Sequence, residues 1–218
     1  MLNIKLFTFN PFMENTYILI DETQEAVIID PGCHNSQEKA MLKEYIESQG
    51  LKVVALLNTH GHIDHMFGNA WVKSTFDVPF VTHQGVIQEL RASEQYGPAM
   101  WGINPDISPD PDRLVDDGDT FTFGNTTLEV LFTPGHSPGH ISFFHRESGQ
   151  LFSGDVLFER SIGRVDLPGG SMDILMDSIL NKLLPLGDDV TVYPGHGGPT
   201  TLGEERAANP FILQYLNS

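Results

Sequence analysis

Short segments with the two-residue period of β-strands, or with continuous apolar character, recur along the whole chain. They are bounded by glycine, proline and aspartate residues, a pattern typical of strands that end in tight turns. The segment 52–57 is almost entirely apolar, which indicates a strand in a sheet that is covered on both faces. The strands predicted from this pattern cover residues 2–9, 16–20, 26–29, 52–57, 79–82, 120–123, 126–132, 140–145, 150–152 and 190–193.

Other segments carry apolar residues three and four positions apart, the spacing of a helix that buries one face. Ser36 is the predicted N-cap of the first helix, and Gly50 ends it. The predicted helices cover residues 36–49, 64–76, 85–95 and 172–184, with a last helix that starts near Glu204. Strands and helices follow one another in two halves, without the glycine turn of a dinucleotide fold and without a solenoid repeat. We therefore predict an α/β fold with two mixed sheets flanked by helices in a single domain, residues 1–218.

The segment between the two halves, residues 97–119, breaks both periods. It contains four prolines, three glycines and six aspartates. A connecting loop of this length inside one domain is uncommon unless the loop is functional or mobile. The composition therefore predicts a long loop with one of those two properties.

Charge and composition narrow the class of ligand. The 218 residues include 12 Lys+Arg against 29 Asp+Glu, a formal net charge of -17. Nucleic acids and anionic membrane surfaces are bound mainly through lysine and arginine, so the sequence argues against both as partners. The single cysteine, Cys33, excludes an internal disulfide and a cysteine-rich zinc module. The first residues alternate instead of forming an apolar signal, and no apolar run reaches the ~18 residues of a membrane span, which predicts a cytoplasmic protein.

The histidine residues are the part of the composition that indicates a chemical function. The segment Thr59-His60-Gly61-His62-Ile63-Asp64-His65 directly follows the apolar strand 52–57 and holds four potential metal ligands. Imidazole and carboxylate without thiolate suit zinc, iron or manganese. His60 and His62 can converge because a glycine separates them, whereas Asp64 and His65 are adjacent and their side chains diverge. Helix capping by Asp64 is the simpler interpretation, but capping does not require three histidines.

Three further segments place a potential ligand in a glycine turn after a predicted strand. They are Thr133-Pro134-Gly135-His136, Ser153-Gly154-Asp155 and Pro194-Gly195-His196. Each alone is a weak signal, because such turns are common. Together with the first segment they supply seven nitrogen and oxygen ligands at strand ends, where the loops of α/β sheets meet. Seven ligands exceed the four of one tetrahedral ion and suit two ions ~3.5–4 Å apart with a shared carboxylate.

This order of motifs, Thr-His-x-His-x-Asp-His followed by Gly-His, Gly-Asp and Gly-His, resembles the metallo-β-lactamase superfamily. The resemblance extends from the strand with Asn15-Thr16-Tyr17, through the turn Asp30-Pro31-Gly32, to His196. It implies an αββα sandwich with the metals at one edge of its sheets. It also implies that one ion is held by one set of ligands and the other by a second set, with a bridging carboxylate. The implied sets are His60, His62 and His136, then Asp64, His65 and His196, bridged by Asp155.

Further residues indicate which branch of the superfamily the chain resembles. Asp155 stands where β-lactamases lack a bridging carboxylate, and His62 stands where flavodiiron-type relatives carry an acidic residue. The acidic chain has no basic stripe for a nuclease function. The loop Arg160 to Gly170 and the ending Glu205 to Phe211 resemble those of short bacterial hydrolases similar to glyoxalase II. The loop departs from that pattern at Val165, where threonine or serine is usual.

These features imply a hydrolase of a small thioester, such as a 2-hydroxyacyl thioester, with two divalent ions. Zinc is the first expectation, and iron and manganese are the alternatives. Two ions lower the pKa of a shared water molecule and polarise the substrate carbonyl group. Asp64 is the expected catalytic residue that orients this water and accepts its proton. A thiol has a pKa of ~8.5, so the thiolate leaves with little help from an acid.

The expected partner is therefore a small-molecule thioester, and these patterns do not define an oligomeric state. Full-length glyoxalase II holds glutathione with basic side chains of a C-terminal helical domain. Here only 22 residues follow His196, and Arg206 is the single basic residue among them. The resemblance thus supports thioester hydrolysis while leaving the thiol carrier open.

Two other functions are alternatives. Persulfide dioxygenases resemble this chain and bind one iron through two histidines and one carboxylate, for which His60, His136 and Asp155 would serve. An inactive, metal-stabilised binding module is the other alternative, but it predicts missing ligands and none is missing. Metal content per chain would separate the three functions.

Several residues near these motifs have two interpretations. Arg164 could bind a substrate carboxylate through its planar guanidinium, or it could pair with Asp166 and brace its own loop. Asp30 could orient a ligand histidine or simply form a turn. His140 is expected to form a structural hydrogen bond, and Cys33 is expected to be a buried, inert thiol.

Overall fold

A computed structural model describes residues 2–103 and 105–216. In this part of the chain, the strands of the first sheet lie side by side in chain order. They are β1 (Asn3–Phe9), β2 (Glu14–Ile20), β3 (Glu25–Ile29), β4 (Lys52–Leu57), β5 (Phe80–Thr82) and β6 (Arg113–Leu114). The pairs from β1 to β3 are antiparallel and those from β3 to β6 are parallel, so the sheet is mixed.

The second sheet and a small hairpin use the later strands. These are β7 (Thr120–Phe123), β8 (Thr126–Phe132), β9 (Ile141–His145), β10 (Gln150–Gly154), β11 (Leu157–Phe158), β12 (Ser161–Ile162), β13 (Thr191–Pro194) and β14 (Thr200–Thr201). The sheet has the order β14-β13-β10-β9-β8-β7, and β11 and β12 form the hairpin. β10 and β13 pair parallel, while the remaining neighbours pair antiparallel, so this sheet is also mixed.

Helices cover the outer faces of both sheets. They are α1 (Ser36–Ser48), α2 (Ile63–Met66), α3 (Asn69–Phe76), α4 (Gln84–Trp101), α5 (Met172–Asp177), α6 (Leu202–Ala208) and α7 (Pro210–Leu216). After α5 the chain continues as a π-helical segment, Ser178–Leu183, and a 3-10 turn, Leu184–Leu186. Among the described residues, no helix is both long and apolar enough to cross a membrane.

Three layers of buried apolar side chains separate these elements. Leu19 and Val27 of the first sheet pack with Phe143 of the second sheet in the central layer. Alternate residues of the same strands point outward, so Ile28 belongs to a layer under α1 and α3, and Leu151 belongs to a layer under α5. Full burial of such side chains contributes roughly 1.5–3 kcal/mol each. The structure confirms the predicted helix–sheet–sheet–helix arrangement.

Each predicted strand is present, whereas the bounds of the predicted helices differ from those in the structure. The helix predicted over 64–76 is divided at Phe67 and Gly68 into α2 and α3. The cause is a tertiary contact, because the backbone N–H of Gly68 donates to the carbonyl of Pro31 at 2.7 Å. A Cβ atom at this glycine would lie 2.5 Å from Sγ of Cys33, so the close approach requires glycine.

Helix ends also differ from the prediction. The N-cap of α1 is Asn35 and not Ser36, and the Asn35 side chain accepts hydrogen bonds from the N–H groups of Gln37 and Glu38. The Glu38 carboxylate in turn accepts a hydrogen bond from the backbone N–H of Asn35, which completes a capping box. The predicted helix 172–184 is α-helical only to Asp177, and beyond that residue it is π-helical and then 3-10.

The predicted loop 97–119 starts later than expected, because α4 extends to Trp101 and includes Pro98. Residue 104 of this segment lies outside the described residues. Ser108 is buried, and its backbone N–H donates to Glu94 at 2.8 Å while its carbonyl accepts from Arg91 at 2.8 Å. This part of the loop is therefore fastened to α4.

A group of aromatic side chains joins the two sheets near the end that carries the histidine motifs. The ring of Tyr17 in β2 lies 5.5 Å from that of Phe152 in β10 and 5.9 Å from that of Tyr193 in β13. The rings of Phe152 and Tyr193 stack at 5.2 Å. Aromatic pairs at these distances are favourable, so they align the strand ends from which the histidine loops emerge.

Candidate metal centre

All the predicted ligand residues lie in segments that follow the carboxyl ends of strands, Asp64 and His65 in the short helix α2 and the others in loops. His60, His62, Asp64 and His65 follow β4, and His136 follows β8. The other two come from the centre of the second sheet, Asp155 after β10 and His196 after β13. β10 and β13 are parallel neighbours, so their ends meet at one edge of the sheet. The two sheets therefore bring ligands that are distant in sequence to one edge of the sandwich.

The side chains form two groups. The first group is His60, His62 and His136, and the second group is Asp64, His65 and His196. Within each group, one ligand atom from each residue lies within 4.8 Å of the others. In the first group, Nε2 of His136 lies 2.8 Å from Nδ1 of His62. In the second group, Nε2 of His196 lies 3.1 Å from Oδ2 of Asp64.

Asp155 lies between the two groups. Its Oδ1 is 3.4 Å from Nε2 of His65, and its Oδ2 is 3.5 Å from Nε2 of His196 in the second group. The same Oδ2 is 3.6 Å from Nε2 of His136 in the first group. The structure therefore assembles the same two sets and the same central carboxylate that the resemblance implies, while metal binding itself stays a prediction.

Hydrogen bonds on the far side of three of the imidazoles orient Nε2 towards this centre. A carbonyl or carboxylate oxygen can only accept, so the Nδ1 atom that faces it must donate, and Nε2 then has a free lone pair. The Nδ1 partners are Asp30 Oδ2 for His65 (3.1 Å), the Arg164 carbonyl for His136 (2.8 Å) and the Phe12 carbonyl for His196 (3.1 Å).

The converging lone pairs fit metal ions. Nε2 of His65 and Nε2 of His196 face each other at 3.4 Å, an arrangement that needs a proton on one of the rings or a metal ion beside them. Nε2 of His60 and Oδ1 of Asp155 are buried and have no hydrogen-bond partner among the described residues. Buried polar atoms without partners are costly in a protein interior. Imidazole nitrogen and carboxylate oxygen are suitable donors for zinc, iron or manganese.

Asp30 supports ligands of both groups, which resolves its two interpretations. Its Oδ2 accepts from Nδ1 of His65 and, at 2.6 Å, from the hydroxyl of Thr59. That hydroxyl lies 3.0 Å from Nδ1 of His60 and, since its proton goes to Asp30, it accepts from the histidine. Oδ1 of Asp30 accepts from the backbone N–H of Thr59 at 2.7 Å and from Asn58 at 3.2 Å. Asp30 therefore orients a ligand histidine in each group.

The two groups differ in electrostatics. Burial, together with the neighbouring histidine His136, lowers the pKa of His62 to about 3, and burial lowers the pKa of His60 far below its usual value. Burial also acts to lower the pKa of His65, but Asp155 and Asp64 outweigh it and raise that pKa well above the usual value. The first group is therefore a set of neutral imidazoles, and the second group is a site with strong attraction for positive charge.

Arg164 lies close to the centre, but its side chain points to another residue. The guanidinium forms two hydrogen bonds with Asp166, at 2.7 and 2.8 Å, and both side chains are exposed. Its carbonyl oxygen is the acceptor that orients His136. The sequence did not reveal this backbone role, because any residue type offers the same carbonyl.

His140 and Cys33 have the environments that their sequence positions indicated. Nε2 of His140 accepts from the backbone N–H of Asp155 at 3.1 Å, and Nδ1 faces the hydroxyl of Thr133 at 3.0 Å. His140 therefore helps to fix the backbone of Asp155, the residue that carries the central carboxylate. Cys33 is buried, and burial raises the pKa of its thiol to about 12, which makes the thiol unreactive.

The start of β2 contributes residues that the sequence motifs did not indicate. The side-chain amide of Asn15 donates to the carbonyls of Pro194 (3.0 Å) and Gly197 (2.8 Å), on both sides of His196. The hydroxyl of Tyr17 donates to the same Pro194 carbonyl at 2.7 Å. These contacts hold the loop of His196, and their long sequence separation leaves no local pattern to detect.

Fold and site together define a class of protein. Residues 9–196 match the family model described as the metallo-beta-lactamase superfamily, and the chain belongs to this superfamily. The superfamily is one of metallo-hydrolases with dinuclear metal sites. Among curated relatives, the chain is 37% identical over 213 residues to the hydroxyacylglutathione hydrolase GloC of Haemophilus influenzae, an alignment that covers 97% of this chain and 98% of GloC.

Solved structures give the same fold. The BLEG-1 B3 metallo-beta-lactamase has a TM-score of 0.87 and 37% identity, and the alignment covers 96% of this chain and 99% of that one. The protein TTHA1623 in a di-iron-bound form has a TM-score of 0.84 and 38% identity, with 95% and 99% covered. ETHE1 from Myxococcus xanthus has a TM-score of 0.79 and 25% identity, with 99% and 90% covered.

Proposed function

We propose that the protein hydrolyses a small thioester at a centre of two divalent ions held by the first group, the second group and Asp155. The observation that supports this most is the position of Asp155, whose carboxylate oxygens face histidines of both groups. A carboxylate in that position can be shared by two ions. When bound, two such ions polarise a substrate carbonyl group and lower the pKa of a water molecule towards neutrality.

Asp64 is suited to accept the proton of the attacking water. Its Oδ2 lies 3.1 Å from Nε2 of His196. Burial acts to raise the pKa of Asp64, but His65 and His196 outweigh it, so the pKa lies below the usual value and the carboxylate is ionised at neutral pH. The side chain is 14% exposed, which allows water to reach it.

The leaving group and the relatives favour a thioester over other acyl compounds. A thiolate leaves without a proton from a strong acid, because the pKa of a thiol is ~8.5. GloC, which is similar to this chain along almost its whole length, is named a hydroxyacylglutathione hydrolase. The ring of Phe158 lies 6.2 Å from that of His196 and gives the centre an apolar side against which an acyl chain can pack. We therefore propose a 2-hydroxyacyl thioester as the substrate class.

Zinc is the metal that we propose, with iron as its competitor. The donor set accepts both metals, and the related TTHA1623 was solved in a di-iron-bound form. A mononuclear iron centre at His60, His136 and Asp155 would instead suit a persulfide dioxygenase. The lone pairs of the second group, which this alternative leaves unused, favour two ions.

β-Lactams are the second substrate class to compare. The chain is 37% identical to BLEG-1, which is named a B3 metallo-beta-lactamase. Asp155 argues against this activity, since the resemblance associates a bridging carboxylate with other branches of the superfamily. A direct comparison of the two substrate classes decides between these arguments.

Elemental analysis of the purified protein and a substrate panel test the proposal. We expect two transition-metal ions per chain, turnover of a lactoyl thioester, and far slower turnover of β-lactams, lactones and phosphodiesters. One iron per chain with persulfide-dependent oxygen uptake would establish the dioxygenase instead. Faster cleavage of a β-lactam or a phosphodiester than of every thioester would reject the substrate class, and absence of turnover for every substrate would leave the inactive binding module.

A further inference from the structure

Helix α4 packs on the loops that carry the first group. A Cβ atom on Gly61, between His60 and His62, would lie 2.7 Å from Cβ of Glu89 and 2.8 Å from the backbone nitrogen of Leu90. The helix therefore lies directly against this glycine.

The other loop touches the same helix one turn earlier. A Cβ atom on Gly139 would lie 2.4 Å from the backbone carbon of Gly85 and 2.5 Å from the nitrogen of Val86. These distances are too short for any side chain, so the two glycines allow one helix to contact both ligand loops.

The carboxylate of Glu89 joins the two loops. Its Oε2 accepts from the backbone N–H of Gly61 at 3.0 Å, and its Oε1 accepts from the backbone N–H of Gly139 at 2.8 Å. Ser93, one turn further along α4, donates its hydroxyl to the carbonyl of Gly61 at 2.7 Å. Both polar groups of the Gly61 backbone are thus held by side chains of α4.

We infer that Glu89 is a positioning residue that sets the separation of His60 and His62 from His136 and so determines the affinity of the first group for its ion. The inference rests on the proposed metal centre. Glu89 does not face the ions, but its two oxygens fix both loops relative to one helix. Charge-assisted hydrogen bonds to backbone N–H groups are about twice as strong as neutral ones, so the carboxylate is a firm connection.

A glutamine at position 89 would break the connection with little change in shape. Its amide has one acceptor oxygen, and its NH2 group would oppose one of the two backbone N–H groups. Substitutions of residues that orient ligands change metal affinity by about 10–100-fold. We expect Glu89→Gln to reduce the affinity for the first ion by this factor.

The test measures Zn²⁺ affinity by competition with a chromophoric chelator in two backgrounds. In a His196→Ala background the second group is disabled, and Glu89→Gln should weaken the remaining ion about 10–100-fold. In a His62→Ala background the first group is disabled, and Glu89→Gln should leave the remaining ion unchanged. Comparison of the two backgrounds assigns the effect to one group.

Glu94→Gln is the matched control. Glu94 is also on α4, and its carboxylate binds Ser108 and Arg91 instead of a ligand loop. This variant should retain both Zn²⁺ affinities. Equal losses in the two backgrounds, or no loss in either, would overturn the inference.

Two further results keep the test decisive. If Glu89→Gln does not fold, Ser93→Ala in the same two backgrounds replaces it, with a smaller loss confined to the His196→Ala background. A parent protein that binds no Zn²⁺ would refute the proposed metal centre itself, an outcome distinct from failure of Glu89 alone. The Co²⁺ absorption spectrum of the His196→Ala protein should also change with Glu89→Gln, because that spectrum reports the ligand geometry.

Discussion

The two ligand groups lie within the same site and are built in opposite ways. The first group consists of neutral histidines on two loops that pack on α4. In the second group, a carboxylate and two histidines come from α2 and from a loop near the end of the chain, and carboxylates raise the pKa of His65 and His196 although burial acts to lower it. Hydrogen bonds from neighbouring residues support both groups, so the two groups differ mainly in charge.

Glu14 is a further acidic residue on the side of the second group. It is completely buried beneath the second group, with Oε1 4.0 Å from Nδ1 of His65. Oε2 accepts a hydrogen bond from Thr16 at 2.9 Å, and burial raises the pKa of this carboxyl well above its usual value. The raised pKa favours the neutral carboxyl, so the negative charge that acts on His65 comes mainly from Asp155 and Asp64.

The largest expected effect comes from removing the residue between the groups. Asp155→Ala should lose at least one of the two ions, and thioester turnover should fall by more than about 100-fold, because even residues that only orient ligands cost about 10–100-fold. Metal analysis and steady-state kinetics measure both effects. Asp189→Ala, at an exposed aspartate, is the control and should match the parent protein. Retention of two ions in Asp155→Ala would mean that the groups bind independently.

A smaller effect is expected from the carboxylate that orients one histidine in each group. Asp30 has a φ of 48°, a conformation that asparagine tolerates, so Asp30→Asn should keep the turn. Its amide group would oppose a donor at either Thr59 or His65. We expect metal affinity to fall by about 10–100-fold for both ions. A loss confined to the ion of the second group, measured by chelator competition, would show that the link through Thr59 to His60 is unimportant.

Asn15→Ala should act on the second group alone. It removes the donor to the carbonyl of Gly197, whereas the carbonyl of Pro194 keeps the hydroxyl of Tyr17. Gly197 is exposed, so water can replace the lost donor, and the expected loss is that of one hydrogen bond, about 0.5–1.5 kcal/mol, with a similar weakening of the ion held by the loop of His196. Urea unfolding and Zn²⁺ competition test this expectation. Tyr17→Phe, which removes a single hydrogen bond, should have a smaller effect of the same kind.

The smallest effect is expected at the surface. Arg164→Lys loses the planar guanidinium that pairs with Asp166. If Arg164 also binds an anionic part of the substrate, turnover of carboxylate-bearing thioesters should fall more than turnover of neutral ones. Equal loss for both substrates, with a lower melting temperature and the same defect in Asp166→Asn, would show that the pair only braces the loop that orients His136.

The strands and the ligand motifs could be predicted because both depend on residues that are close together in the sequence. β4 is a continuous apolar run, and the four histidine and aspartate motifs each follow such a run after a turn residue. The split of the predicted helix at Gly68 could not be predicted, since its cause is a hydrogen bond to Pro31 in another part of the chain.

The supporting residues were hidden for the same physical reason. Glu89 has the appearance of an ordinary polar position on an amphipathic helix, and only the packed structure shows that its oxygens meet Gly61 and Gly139. Asn15 is separated from its acceptors by 179 and 182 residues. The nature of the ligands is therefore a property of short motifs, whereas their support is a property of tertiary structure.

The contacts of Asn15 have a consequence for how the protein folds. During synthesis the His60, His62, Asp64 and His65 segment is complete long before β13 exists, so a cation captured early finds part of its ligands only. The loop of His196 is added when β13 pairs with β10 and reaches back to β2, a pairing between distant parts of the chain that is slow by topology. Full affinity for the proposed ions would therefore belong to the completed fold, and bound ions would stabilise that state over every partly folded one.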